Sequence, residues 1–336
     1  MSEPSVSSGY AKGLIELAVS KGADRSALFA RSGIDASTLD KLDNRVPFAR
    51  YVALMRAAKA LTGDQALALH YGEAANLGQV SIVGLIGNAS ETVAGAFQQL
   101  NRYVRLVVDV ECDRQRFMIV QDRRGHWLVD TRKRPNEFPE LSESAFAQVL
   151  CSTLQFGDRS QAREIHFTHA DPGYRAEYER IFRAKVVFGA KWNAYRYDPA
   201  WSETKVAVLP RYVGDLLNDR ANALLRDLDA AQTARGRVET LLAPRLASGA
   251  ARIDEIAALL KLSRQTLHRQ LRAEGVTFEA VLDDLRRTRA VRLVTESETP
   301  FSEIGYQLGF SDPAAFSRAF KRWTGASPRT ARAAGR

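Results

Sequence analysis

Residues 304–327 read IGYQLGFSDPAAFSRAFKRWTGAS, and residues 256–278 read IAALLKLSRQTLHRQLRAEGVTF. One pattern is written twice. Ile256 aligns with Ile304, Leu260 with Leu308 and Ser263 with Ser311, each pair 48 positions apart. Each stretch predicts a helix, a tight turn and a second helix with cations on its polar face. A pair of helix-turn-helix units, about 253–273 and 302–323, implies a protein that reads two nearby stretches of DNA major groove.

In the first unit, helical spacing puts Ile253, Ile256, Leu259 and Leu260 on one buried stripe. Ser263 sits where an N-cap belongs, and Leu262 and Leu267 flank it at staple positions. The second helix, about 264–273, buries Leu267 and Leu271. Its other face offers Arg264, Gln265, His268 and Arg269, with Thr266 near the start. Arginine pairs with guanine and glutamine with adenine in the major groove.

The second unit is more strongly punctuated. Gly309 suits the left-handed conformation that stops a helix, and Asp312-Pro313 reads as a cap and first turn. Phe310, Phe316, Phe320 and Trp323 form the buried seam. Ser317, Arg318, Lys321 and Arg322 remain for DNA. With an acid and two alanines where base edges would lie, phosphate anchoring is expected to outweigh base discrimination. Lys261 stands where the second unit has Gly309. A left-handed non-glycine residue is uncommon, so a differently shaped turn is expected there. The first unit is also one residue shorter between its serine and the next paired apolar position.

Residues 279–294 (EAVLDDLRRTRAVRLV) fit one connecting helix, with Val281, Leu282, Leu285, Val291 and Val294 toward the units. A rigid connector would hold two recognition helices for groove segments about 34 Å apart. Arg286, Arg287, Arg289 and Arg292 line the rest, either for phosphate or paired with Asp283 and Asp284. From residue 233 onward the chain has 18 Lys/Arg against 11 Asp/Glu, whereas the preceding 232 residues carry 30 against 28. The basic excess therefore travels with the repeat, as phosphate neutralisation requires.

The segment 300–329 (PFSEIGYQLGFSDPAAFSRAFKRWTGASPR) resembles the signature of AraC/XylS-type transcriptional regulators. The ordered set Ile304, Leu308, Gly309, Phe310, Phe316, Arg318, Phe320, Trp323, Gly325 and Pro328 carries the resemblance, and LSRQTLHRQLRAEGVTF also fits. Residues 80–105 and 163–217 are similar to the arabinose-binding-like N-terminal domain of one subgroup. The resemblance implies a regulator, usually an activator, with a sensing or dimerising first domain. Its implied partners are double-stranded promoter DNA, RNA polymerase, a small-molecule effector and a second copy of the chain.

The expected fold class is an α+β domain over 1–232 followed by an all-α DNA-binding domain over 233–336. The stretch 231–237 (AQTARGR) breaks the apolar period, which puts the linker there or slightly later, before Ile253. Upstream, 10–20, 48–62, 91–106, 141–154 and 211–230 read as helices, with Asp64 and Ser90 as caps. Residues 115–131 read as a hairpin turning at Asp122–Gly125, and 163–169 and 185–197 supply further strands. Strands are thus expected toward the second half of this domain.

No effector residues emerge from the sequence. The aromatics Tyr174, Tyr178, Phe182, Phe188, Trp192, Tyr195, Tyr197 and Trp201 read first as core and second as a cavity wall. Arg123, Arg124, Arg132, Lys133 and Arg134 read first as a solvated turn and second as a carboxylate site. His166 and His169 are three apart on a strand and point to opposite faces, which argues against a metal site. His70 and His126 look isolated. Cys112 and Cys151 have no CxxC partner, which weighs against the DNA-repair methyltransferases that carry similar reading heads. No catalytic motif, cofactor loop or metal ligand set appears. An enzyme with a DNA-binding tail is thereby disfavoured. A first domain that binds protein and no ligand stays open. No apolar run approaches bilayer length and no secretion signal is apparent, so a reducing cytoplasm without membrane contact is expected.

Overall fold

The computed structural model describes residues 3–154, 162–206, 209–247 and 252–334. Cα packing divides the chain into two compact units, Glu3–Leu225 and Arg226–Arg336. The first is α+β, the second all-helical.

The first unit opens with β1 (Ser5–Ser7), α1 (Ser8–Ser20), α2 (Arg25–Ser32), β2 (Arg45–Pro47), α3 (Phe48–Thr62), α4 (Leu67–Ala74), α5 (Leu77–Val80), α6 (Ile82–Asn88), α7 (Val93–Val107) and β3 (Val108–Asp109). It continues with β4 (Cys112–Asp122), β5 (Gly125–Arg132), α8 (Glu140–Leu154), β6 (Ala162–His166), α9 (Arg175–Phe182), β7 (Lys185–Val187), β8 (Asn193–Tyr197) and α10 (Arg211–Gln232), within which the division falls.

Two sheets form. The larger runs β4-β5-β8-β6-β7, antiparallel except for the β6/β7 pair. Alternation along its strands sorts residues by face. Leu128 and Tyr195 enter the main core with Phe146, Ile165 and Phe167, while Trp127, Val129 and Ala194 form a smaller cluster. The predicted aromatics mostly join the main core, and Trp192 is exposed. Helix α8 packs on α4 at Gly72, where a Cβ would lie 2.3 Å from the Ser144 carbonyl oxygen. Only glycine lets the backbones approach so closely.

Several expectations need correction. A second sheet, β2-β1-β3, lies in the first half of the chain. Its strands of two or three residues are too short to show a period of two. The cap of α7 is Thr92, whose hydroxyl accepts from the Gly95 amide, and not Ser90. Asp64 does not cap α4; it accepts from the Ala66 amide and holds His70 Nδ1 at 2.7 Å. His70 Nε2 meets Glu177 at 2.9 Å, so this histidine ties α4 to α9 and is not isolated. Within 231–237, Thr233 follows the end of α10 and caps the next helix through the Gly236 amide.

The second unit contains α11 (Ala234–Leu242), α12 (Ile253–Leu259), α13 (Arg264–Ala273), α14 (Phe278–Glu296), α15 (Phe301–Gln307), α16 (Pro313–Thr324) and α17 (Pro328–Ala334). It has two small cores. Val238, Leu242, Ile256, Leu267, Leu271 and Val281 fill one; Ala290, Val294, Ile304, Leu308, Phe316 and Phe320 fill the other. Leu282 and Leu285 of α14 touch both. Leu259 and Val291, expected inside, are exposed.

Candidate nucleic-acid interface

The two heads share one backbone turn. Helix α12 ends with Lys261 at φ 56°, and α15 ends with Gly309 at φ 76°. The Leu262 amide donates to the Ala257 carbonyl (2.9 Å) and the Lys261 amide to Ala258 (3.0 Å). The Phe310 and Gly309 amides repeat this with Gly305 (3.0 Å) and Tyr306 (2.9 Å). Both are Schellman closures. The expectation of a differently shaped first turn is therefore wrong: Lys261 accepts the left-handed strain, and its side chain is solvent-exposed.

The caps reset the alignment of the two heads. Ser263 Oγ accepts from the Thr266 amide (3.1 Å), and Asp312 Oδ1 accepts from the Ala315 amide (2.7 Å). Ser263 thus matches Asp312, not Ser311. The missing residue of the first unit belongs to the turn, and Ser311 is the extra one. Counted from the caps, Leu267 matches Phe316 and Leu271 matches Phe320, all buried.

This register shows what each head presents. On α13, Arg264, Gln265 and Arg269 are exposed and His268 is half-buried. Thr266 faces back onto Ser263, its Oγ1 2.8 Å from Ser263 Oγ. Arg264 reaches Asp254 at 3.6 Å, both well exposed. Such a surface pair contributes little, so Arg264 can leave it for DNA. On α16, Ser317, Arg318 and Lys321 are exposed, although the Ser317 hydroxyl donates to the Pro313 carbonyl (3.0 Å). Arg322 differs: its Nη2 lies 2.8 Å from Asp283 Oδ2, which also accepts from Trp323 Nε1 (3.1 Å). Arg322 thus fastens α16 to α14. Arg272, which the sequence reading passed over, matches Lys321 and is exposed. Aligning the caps rather than the serines would have found it. Among the described residues, no ion pair engages Arg269, Arg272, Arg318 or Lys321.

The connector α14 is 19 residues long, or about 28 Å at 1.5 Å per residue. Its arginines divide by task. Arg286 donates to the Leu308 (3.0 Å) and Gly309 (3.3 Å) carbonyls and lies over the Phe310 ring. Burial pulls its pKa below the ordinary arginine value, with Asp283 opposing. Arg289 donates to the Ala243 carbonyl (2.7 Å). These two arginines close helix ends, while Arg287 and Arg292 remain exposed. Asp284 pairs with Arg235 (2.9 Å), not with the arginines of its own helix. At the far end, Arg332 of α17 donates to the Val294 and Thr299 carbonyls and stacks on Phe301.

With this geometry in view, residues 22–206 match the family described as the arabinose-binding domain of AraC transcription regulator, N-term. Residues 256–334 match a helix-turn-helix domain family. The chain belongs to the AraC family of transcription regulators. It is 28% identical over 329 residues to the ornithine utilization regulator of Pseudomonas aeruginosa, covering 95% of this chain and 94% of that one. VirS of Mycobacterium tuberculosis is 26% identical, over 96% and 95%. The transcriptional activator RhaS of Escherichia coli is 42% identical over 80 residues, 24% of this chain and 29% of that one. This AraC-family member is therefore a DNA-binding regulator with an arabinose-binding-like first domain. No helix among its described residues is long and apolar enough to cross a membrane.

Proposed function

We propose that this AraC-family protein is a sequence-specific transcriptional activator. A small-molecule effector bound in the first unit shifts it between inactive and activating populations. It acts in the cytoplasm as a homodimer on promoter DNA, in contact with RNA polymerase. The observation that carries the reading is the pair of cap-aligned recognition helices on one connector. Arg264, Gln265, His268 and Arg269 of α13 read base edges, with Thr266 setting the helix start. Ser317, Arg318 and Lys321 of α16 hold phosphate, with Arg322 at its margin. Arg272 joins the phosphate contacts as the counterpart of Lys321. Two relatives named as a regulator of ornithine utilization and as an activator support effector control and the positive sign.

The test is a footprint of the purified protein on DNA upstream of its own gene and its neighbours, at two salt concentrations. The expected result is two protected segments per protomer, about one helical turn apart. Protection that is diffuse and lost uniformly with salt would count against paired sequence-specific heads.

A further inference from the structure

The first unit contains a cavity of about 300 Å³ walled by α4, α5, α6, α7, α8 and the middle of β4. That volume suits a small molecule. Most of the wall is apolar: Val83, Phe97, Leu100, Val104, Phe117 and Val149 contribute to it. Two polar side chains in the wall are buried and incompletely partnered. Arg116 is 4% exposed, and its Nε and Nη2 have no hydrogen-bond partner. Gln148 is 9% exposed, and its Nε2 has none.

A strand irregularity brings the arginine inside. The β4/β5 register shifts between Cys112 and Phe117, and the adjacent residues Arg116 and Phe117 are both buried. A regular strand would put the two on opposite faces of the sheet, yet both line this cavity. Bulges re-aim side chains in this way.

Arg116 forms a buried ion pair with Asp130 that leaves its Nε and Nη2 without hydrogen bonds. Asp130 Oδ1 lies 3.6 Å from Arg116 Nε, beyond hydrogen-bonding distance. That carboxylate already accepts from Ser142 Oγ (3.0 Å) and the Arg132 amide (3.2 Å). The guanidinium of Arg132 is buried beside it and bound to the Pro135 and Phe138 carbonyls. Asp130 thus pairs with Arg116 and also acts electrostatically on the second buried guanidinium, that of Arg132. A buried cation with open donors is costly unless an anion completes it.

The wall also constrains the rest of the ligand. Among the described residues Arg116 is its one cation, too little for a dianionic phosphate. Glu73 is the one carboxylate among the described residues of the wall, and both oxygens are taken by Arg180 at 2.8 and 2.7 Å. Among the described residues, no acid of the wall is left for a ligand ammonium. A planar carboxylate fits a guanidinium fork, and Gln148 supplies a further donor. We infer that this cavity is the effector site and that it takes a small monocarboxylate with an uncharged, apolar body. The inference rests on the effector-controlled reading above and adds the site and the ligand class.

The test uses the full chain and matched probes: hexanoate, octanoate and phenylacetate, each against its own primary amide, with L-lysine as a zwitterionic control. Binding is followed by titration calorimetry and melting temperature. At least one acid should bind saturably, and its amide roughly 10- to 100-fold more weakly, as expected for loss of charge-assisted hydrogen bonds. Arg116→Met should erase the difference between acid and amide. Should Arg116→Met not fold, the matched pairs on the natural protein decide alone. Equal binding of acid and amide, preference for L-lysine, or no saturable acid binding overturns the inference. A reporter on the footprinted promoter separates the two ideas. An acid that binds through Arg116 but leaves the reporter unchanged would defeat effector control and leave the site standing. A reporter response to a non-acid, insensitive to Arg116→Met, would do the reverse.

Discussion

Gly309→Ala should selectively open the second reading head. Gly309 sits at φ 76°, where an L side chain costs about 1–2 kcal/mol. Loss of glycine's freedom in the unfolded chain returns about 0.4–1 kcal/mol. The larger cost is contact. A Cβ here would stand 2.2 Å from the Leu246 carbonyl oxygen, which is backbone and has no rotamer to change. Forcing the segments apart costs roughly 1–3 kcal/mol and loosens Arg286 from the carbonyls it closes. The expected net loss is about 2–4 kcal/mol, a large share of a domain's usual stability. Hydrogen exchange on the full chain, followed by mass spectrometry, would show faster exchange across 304–320 with 256–271 little changed. Lys261→Gly is the converse experiment. It relieves left-handed strain at an exposed position and should slow exchange across 256–271, by about 0.5–1 kcal/mol. If Gly309→Ala altered local stability by less than about 1 kcal/mol, the close approach to Leu246 would not be what demands glycine.

Three further outcomes follow from named groups. Gln265→Ala should relax base preference at one position of the site, by about 1–3 kcal/mol; a uniform loss over all sequences in a binding-site selection would contradict base reading. Lys321→Ala or Arg272→Ala should weaken all sequences alike and lower the salt slope by about one, and an unchanged slope in salt-dependent titrations would remove them from the phosphate contacts. Burial pushes the Glu143 carboxyl from 4.5 up to about 7, against the Tyr178 hydroxyl that donates to it at 2.6 Å. The folded unit therefore holds a proton that the unfolded chain releases nearer pH 4.5. The resulting stabilisation is complete below that pH and lost as pH rises through about 7, a swing of roughly 3 kcal/mol. Glu143→Gln should flatten the stability profile between pH 5 and 8; profiles that stay parallel would refute the assignment.

The reading heads were legible because their signals are local. A cap, a period of 3.6 and a helix stop are set by residues within one or two turns, as at Asp312-Pro313 and Gly309. Lys261 shows the limit of local reasoning. Its intrinsic preference argues against a left-handed turn, yet the Schellman bonds and the packing of Leu267 and Leu271 impose one. The arginines of α14 mark another limit. Four alike residues on one helix look equivalent in sequence, and only the end of α15 and the turn at Ala243 distinguish Arg286 and Arg289 from Arg287 and Arg292. The cavity was hidden for a stronger reason. Arg116 lies near the start of the hairpin read over 115–131, and nothing in the run CDRQRF announces the bulge that turns the side chain inward. Gln148 comes from a helix 32 positions later.

The shared backbone of the two heads sharpens their difference. Since Ser263 and Asp312 occupy the same cap position, Arg264 and Gln265 correspond to Pro313 and Ala314, and His268 to Ser317. The first helix turn of α13 thus projects long hydrogen-bonding side chains, while that of α16 projects a ring and a methyl group. Exposed cations recur farther along both helices, where Arg269 corresponds to Arg318 and Arg272 to Lys321. Discrimination between bases should therefore concentrate in the half-site under α13, while the half-site under α16 tolerates substitution and supplies ionic attachment. A swap of the α13 face into α16 would move the sequence requirement between half-sites without moving the footprint, because the connector α14 and the caps that set it are unchanged.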